Sequence, residues 1–242
     1  MEHGVEVYLC DNQSTDRTVE IAARWLGAGV RDIEHIPHDG TYRWRRILER
    51  KAELAAELEA DWFLHLDPDE VPLPPGPGQT LADALAEVDA EGHNAVEFSE
   101  FTFVPSREAP DHDHSDYRRT MRWYYPYAPN QRLLRAWKRQ PGPVDLAATG
   151  GHFVDFPGRR IAPRRFRLCH YLFLSREHAA RKYGARRFDV DEVSGGWHGW
   201  RHGFDSHNLR LPAQDELRTL SAEGLLDPSS PRDEHCVVWG QP

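Results

Sequence analysis

The residue types best suited to chemistry cluster in "DPDE", where Asp67, Asp69 and Glu70 follow the apolar run "DWFLHL". Carboxylates at i and i+2, on a turn tightened by Pro68, can converge on one hard cation. Mn²⁺ or Mg²⁺ takes such oxygen ligands and often shares them with substrate phosphates. The plain alternative is a solvated acidic turn. Glu70 has three open roles: a further ligand, a hydrogen-bond acceptor behind the ligands, or the partner of an arginine. A second acidic loop, "CDNQSTDRT", puts Asp11 and Asn12 just past another apolar run. Ligand contact and helix capping both suit these two residues, whereas Ser14, Thr15 and Asp16 suit capping. A third cluster, His112, Asp113 and His114 in "APDHDHSD", has side chains able to bind zinc or iron. It supports a metal-dependent hydrolase as a minor alternative.

These groups need elements to hold them. "VEVYLC" (5–10) reads as a strand. A helix follows, with Val19, Ala22, Ala23 and Leu26 at helical spacing and Gly27 and Gly29 as its stop. "RDIEHIP" (31–37) is a second strand. Residues 43–60 form a helix with Ile47, Leu48, Leu54, Ala55 and Leu58 on one face, and the strand before "DPDE" comes next. Strands separated by helices predict right-handed βαβ units and a mostly parallel sheet, with ligands beyond the carboxyl ends of the strands. Both acidic loops fall at that edge. A helix over 80–91 and a strand over 94–104 follow, then a long loop over 105–129. Further strands are predicted near 130–137, 144–156 and 159–171, with a helix from about 175 to 187. Residues 1–205 read as one domain and 206–242 as an extension packed on it.

The formal charge is −9, from 39 acids against 30 bases, which disfavours nucleic acid as a general partner. Residues 159–187 run against that trend, being dense in arginine with Glu177 as their one acid, and suit a small anionic ligand. Cys10, Cys169 and Cys236 show neither a disulfide framework nor zinc spacing. No run approaches the ~18 apolar residues of a membrane span, and no stretch reads as a signal peptide. The expected compartment is the cytoplasm.

"DNQSTDRT", followed some fifty residues later by "DWFLHLDPDEV", resembles family 2-type glycosyltransferases of the GT-A fold. The second half resembles a bacterial subgroup with G-G-H, H-Y-x-x-x-S and G-W-H segments. The likeness covers roughly residues 5–205. It implies an α/β GT-A fold with a mixed, mostly parallel sheet flanked by helices, and transfer of a sugar from a nucleotide-sugar donor. The acceptor is left open among a glycan, a lipid-linked glycan and a small molecule. By position, Asp11 and Asn12 would contact the nucleotide, and Asp67 and Asp69 would bridge Mn²⁺ or Mg²⁺ to the diphosphate. His170 would complete the metal or phosphate site, and Lys182, Arg186 and Arg187 would neutralise the leaving group. His152, Trp197 and His198 would line the acceptor side. Trp197 and Trp200 can stack on sugar faces or simply pack.

An inverting transfer needs a carboxylate to take the acceptor's proton. Glu97, Glu100 and Asp145 are the candidates, with Asp145 and Glu100 preferred. The family pattern has a strand before the one ending in "DN", but only Met1–Gly4 precede it here. Either the start lies upstream or the expected sheet lacks its first strand, and a truncated or non-catalytic GT-A-like binding protein is the alternative.

Overall fold

A computed structural model describes residues 3–128, 132–184, 186–201 and 204–239. Its first unit is strand β1 (Val7–Asp11), helix α1 (Thr18–Ala23) and strand β2 (Val30–His35). β1 and β2 pair in parallel, as the βαβ reading requires, but as a two-stranded sheet of their own. Asp16, not Ser14, serves the helix start, accepting from Thr18 N at 2.9 Å. Gly27 and Gly29 adopt positive φ and turn the chain out of the helix. No residue of α1 is buried.

Helix α2 (Trp44–Glu57) buries Ile47, Leu48, Leu54 and Ala55, four of its five predicted face positions. Burying a large aliphatic side chain is worth about 1.5–3 kcal/mol, so this face holds the helix in place. β3 (Trp62–Leu64) and β4 (Glu70–Leu73) flank the "DPDE" turn, and α3 (Leu81–Ala90) starts at a capping box formed by Thr80 and Asp83. β5 (Ala95–Phe103) is buried on both faces. α4 (Tyr117–Thr120) and β6 (Trp123–Tyr127) follow, then β7 (Leu134–Lys138) and β8 (Phe166–Tyr171). α5 (Arg176–Ala179) runs into a π-turn at Ala180–Gly184, and α6 (Val190–Ser194) comes after it. β9 (Leu209–Arg210), β10 (Arg218–Thr219) and β11 (Val238–Trp239) lie in the tail, where β10 extends the large sheet beside β6.

The expected parallel sheet is corrected here. Seven strands form the main sheet, and among the described residues only β5–β8 of its ladders is parallel. β5 is its centre. The first half of β5 pairs with β7 and the second half with β6, both antiparallel, while β8 runs along residues 98–103. β3 pairs with β7 and not with β1, so the two sheets share no ladder. The "loop" over 105–129 contains α4 and β6. The strand predicted over 144–156 is a turn held by two isolated bridges, Asp145–Asp155 and Leu134–Phe153. Mixed α/β is the class observed.

Aliphatic and aromatic side chains of α3, β5 and β8 (Leu81, Leu85, Val88, Phe98, Phe166, Leu168) form one core layer. Leu48, Ala55, Leu134, Trp137 and Leu146 form another. No helix of the described residues is long and apolar enough to cross a membrane.

Candidate functional site

The "DPDE" turn is closed by its own residues. Glu70 N donates to Asp67 O at 3.0 Å, and Asp67 N donates to the Glu70 carboxylate at 2.9 Å. Glu70 is buried and takes a 2.6 Å bond from Arg135 Nη1, an arginine that is itself 6% exposed. Burial pushes Glu70 up to about 7, against the lowering pull of Arg135. Of its three open roles, Glu70 thus fills that of arginine partner, and it fixes the turn on which Asp67 and Asp69 sit. Arg135 is reached from β7, where it interrupts the buried run "LLRAW".

Asp69 is the centre of a second set. Its Oδ2 accepts from Lys182 Nζ and lies 3.2 Å from His170 Nε2. His170 Nδ1 is 2.7 Å from Glu100, whose Oε1 also accepts from Thr102 Oγ1 at 2.9 Å. Both His170 nitrogens face carboxylate oxygens. Burial opposes a charged imidazole there, but Asp69 and Glu100 outweigh it and hold His170 well above the ordinary histidine range. Burial likewise opposes the Asp69 carboxylate, yet Lys182 and His170 hold it well below its ordinary range. Residues from the turn before β4, from β5 and β8, and from the π-turn after α5 thus meet in one charged chain. Such turns occur often at functional sites. Here the wider turn places Lys182 inward, with Leu172 O accepting from its ammonium at 2.8 Å and from Tyr183 Oη at 3.1 Å.

The two preferred bases lie apart, Glu100 enclosed and Asp145 exposed. Glu100 is buried and engaged by His170 and Thr102. Asp145 Oδ1 accepts from Ala147 N and Ala148 N at 2.7 and 3.0 Å, capping a turn. It lines a separate cavity of about 690 Å³ with Arg132, Phe153 and Arg159. Glu97 pairs with Arg132 and Arg165. Asp67 has a side chain 32% exposed, and Arg135 Nη1 stands 3.9 Å away.

Asp11 ends β1 buried, its carboxylate accepting from Ser14 N and facing His35 Nδ1 at 3.0 Å. Asn12 donates to Ile36 O at 3.1 Å. Their observed partners are local. Arg186 stacks its guanidinium 4.5 Å from the centre of the Tyr42 ring. His198 adopts φ +67°, bonds to Glu192 at 2.6 Å and stacks on Phe188. Glu192 also accepts from Trp44 N and Arg45 N at the start of α2. Trp197 lies under the Arg45 guanidinium at 4.8 Å, and the Trp200 side chain is outside the described residues.

Burial lowers His152 to about 4, leaving it a neutral imidazole. Its neighbour Gly151 has φ +87°, and a Cβ there would come 2.7 Å from His65 Nε2 and 2.9 Å from Leu48 Cδ2. Only glycine permits this approach, which explains the glycines of "GGH". His65 stands in turn 3.1 Å from Lys51 Nζ. Burial lowers the Lys51 pKa, with Asp67 pulling the other way. Among the described residues His65 Nε2, His152 Nδ1 and Arg135 Nε have no hydrogen-bond partner. Three orphaned polar atoms in one neighbourhood suit a polar ligand.

Lys51, His65, Arg135 and Glu192 escaped the motif reading. Position 51 nevertheless falls at i+4 from Ile47 and i+3 from Leu48, a cation on an apolar face. Arg135 sits equally out of place in an apolar strand. Both are signals of buried charge. His112 bonds to Thr120 and Asp113 to Ser115, while His114 packs against His178, so the "HDH" residues do not converge.

The fit of Mn²⁺ or Mg²⁺ is decided at Asp69. Asp69 and His170 meet as expected, with Asp67 on the same turn. However, Lys182 holds the Asp69 oxygen, and His170 points both nitrogens at carboxylates. Among the described residues no group of three or more His, Cys, Asp or Glu is arranged to hold a metal ion. As they stand, these residues do not fit a divalent cation.

No family model and no curated protein matches this chain.

Proposed function

We propose that this chain is a glycosyltransferase that moves a sugar from a nucleoside-diphosphate sugar to an acceptor hydroxyl. One observation carries the reading: Asp69, His170, Glu100 and Lys182, scattered over more than a hundred residues, meet in a buried charged chain beside the partly exposed Asp67. Buried charge is costly even when paired, and networks that perturb pKa values gather at functional sites. The resemblance to GT-A enzymes supplies the reaction class.

Departure of a nucleoside diphosphate builds negative charge, which preorganised cations stabilise. Lys182 and Arg186 are the cations for that task, and Lys51 lies near Asp67. Asp67 is the carboxylate of the turn with room to take the acceptor's proton. Glu100, being engaged, positions His170 instead. The acceptor, whether glycan, lipid-linked glycan or small molecule, would approach past His152, Trp197 and His198.

The test is a thermal-shift panel of UDP-, GDP- and dTDP-sugars, since a ligand that binds only the folded state raises its melting temperature. At least one sugar nucleotide should stabilise the wild type and fail to stabilise Asp69→Asn. No response to any of them would sink the reading. Binding without transfer is the second reading, favoured by the burial and engagement of Glu100. It would show as stabilisation without release of nucleoside diphosphate in the presence of acceptors.

A further inference from the structure

We propose that Lys182 is the resident cation of this site: its ammonium occupies the place on Asp69 that a divalent ion would take, so the chain binds a diphosphate without metal. The inference rests on the transferase reading but makes a separate demand on it. Three features of the geometry support it.

The ammonium is fixed rather than loosely placed. It is held by Asp69 Oδ2 and Leu172 O, its side chain is 19% exposed, and the aromatic ring of Tyr183 lies 5.1 Å from it. Tyr183 is a further side-chain partner of the ammonium, so Lys182 acts on a diphosphate through its fixed charge. Next, the carboxylates around it are already matched with donors. Glu70 takes Arg135 and Asp67 N, and Glu100 takes His170 and Thr102. A divalent ion reaching Asp69 would meet Lys182 at contact distance, where like charges repel by several kcal/mol at an intermediate dielectric. Finally, both His170 ring nitrogens are taken up by carboxylates, Nε2 at 3.2 Å from Asp69 and Nδ1 at 2.7 Å from Glu100, so neither is turned to the cleft. The chain therefore has a cation bound by its own fold where the motif alone asks for an added one.

The probes are UDP and GDP, titrated calorimetrically into the intact protein in EDTA and in Mn²⁺. Wild type should bind the preferred nucleotide with affinities within about twofold of each other in the two buffers, while Lys182→Ala in EDTA should lose about tenfold or more. Lys182→Arg, which keeps the charge, should recover part of that loss. Lys182→Gln, which keeps a donor without charge, should not. Circular dichroism and melting temperature establish that the variants fold. Electron paramagnetic resonance supplies an independent readout: free Mn²⁺ signal should fall on adding Lys182→Ala but not on adding wild type. Nucleotide binding that requires Mn²⁺ overturns this inference while leaving the transferase reading intact. Unchanged EDTA binding in Lys182→Ala also overturns it. Binding of neither nucleotide in either buffer removes both proposals together.

Discussion

The β1–α1–β2 unit and the sheet around β5 use similar amino acids under different constraints. β5 buries eight of its nine residues, with aromatic neighbours on β6 and β8. The first unit exposes Val7, Ile21, Trp25 and Leu26, each by about half of its surface, and α1 buries nothing. The charged chain of Asp69, His170, Glu100 and Lys182 belongs to the second region, where surrounding strands can hold costly groups in place. Asp11 and Asn12 belong to the first, where their partners lie within the unit. Rigid placement and light packing thus belong to different parts of the molecule. Local stability follows buried contacts, so the first unit should open more readily than the second.

The contrast breaks first at Arg135. Arg135→Ala strands the buried Glu70 carboxylate, and loss of one partner of a buried pair costs about 3–5 kcal/mol. Urea denaturation should show a lower midpoint at an unchanged slope; a shift below about 1 kcal/mol would mean the pair is not buried in solution. The sharper comparison sets Leu168→Ala against Leu26→Ala. The former removes a core side chain at a cost of about 2–5 kcal/mol, and the latter should stay within about 0.5 kcal/mol. Equal effects would show that the β1–α1–β2 face is covered in solution.

A pH series probes the charged chain. His170 has its pKa raised in the fold, so its stabilisation is fully present below the ordinary histidine value of 6.5 and declines as pH rises through the folded value. Asp69 has its pKa lowered, so its share is present above the ordinary aspartate value and is lost only as pH falls through the folded one. His170→Gln should accordingly flatten the alkaline limb of a melting-temperature profile and leave the acid limb governed by Asp69. An unaltered alkaline limb would remove His170 from the account. Smallest in effect, because nothing is mutated, is hydrogen exchange: amides of Tyr8 and Leu9 should exchange faster than those of Phe98 and Phe101.

Much of this was legible in the residues. The α2 face could be read from helical spacing, and the turn after β3 from Pro68 among acids. Residues 94–104 read as a strand because their apolar content leaves little alternative. Pairing was not legible. β3 and β1 have the spacing of parallel neighbours, but β3 joins β7 about seventy residues later, and nothing local encodes that choice. The same holds for the site. "DPDE" announced its carboxylates, yet whether each is open depends on distant residues: Arg135 for Glu70, Lys182 for Asp69. The same holds for the proposed bases: Glu100 and Asp145 are both carboxylates in the sequence, and only the fold shows that Glu100 is buried against His170 and Thr102 while Asp145 is exposed beside a turn.

The π-turn at Ala180–Gly184 has a genetic consequence. Each residue of a regular helix advances the chain by about 100° around the axis. Deleting one codon from this turn, and so restoring regular pitch, should swing Lys182 away from Asp69 and strand a carboxylate without altering any amino acid of the motif. The site's arithmetic therefore depends on the length of its coding sequence as much as on its letters, and a single in-frame indel can rewrite its charge.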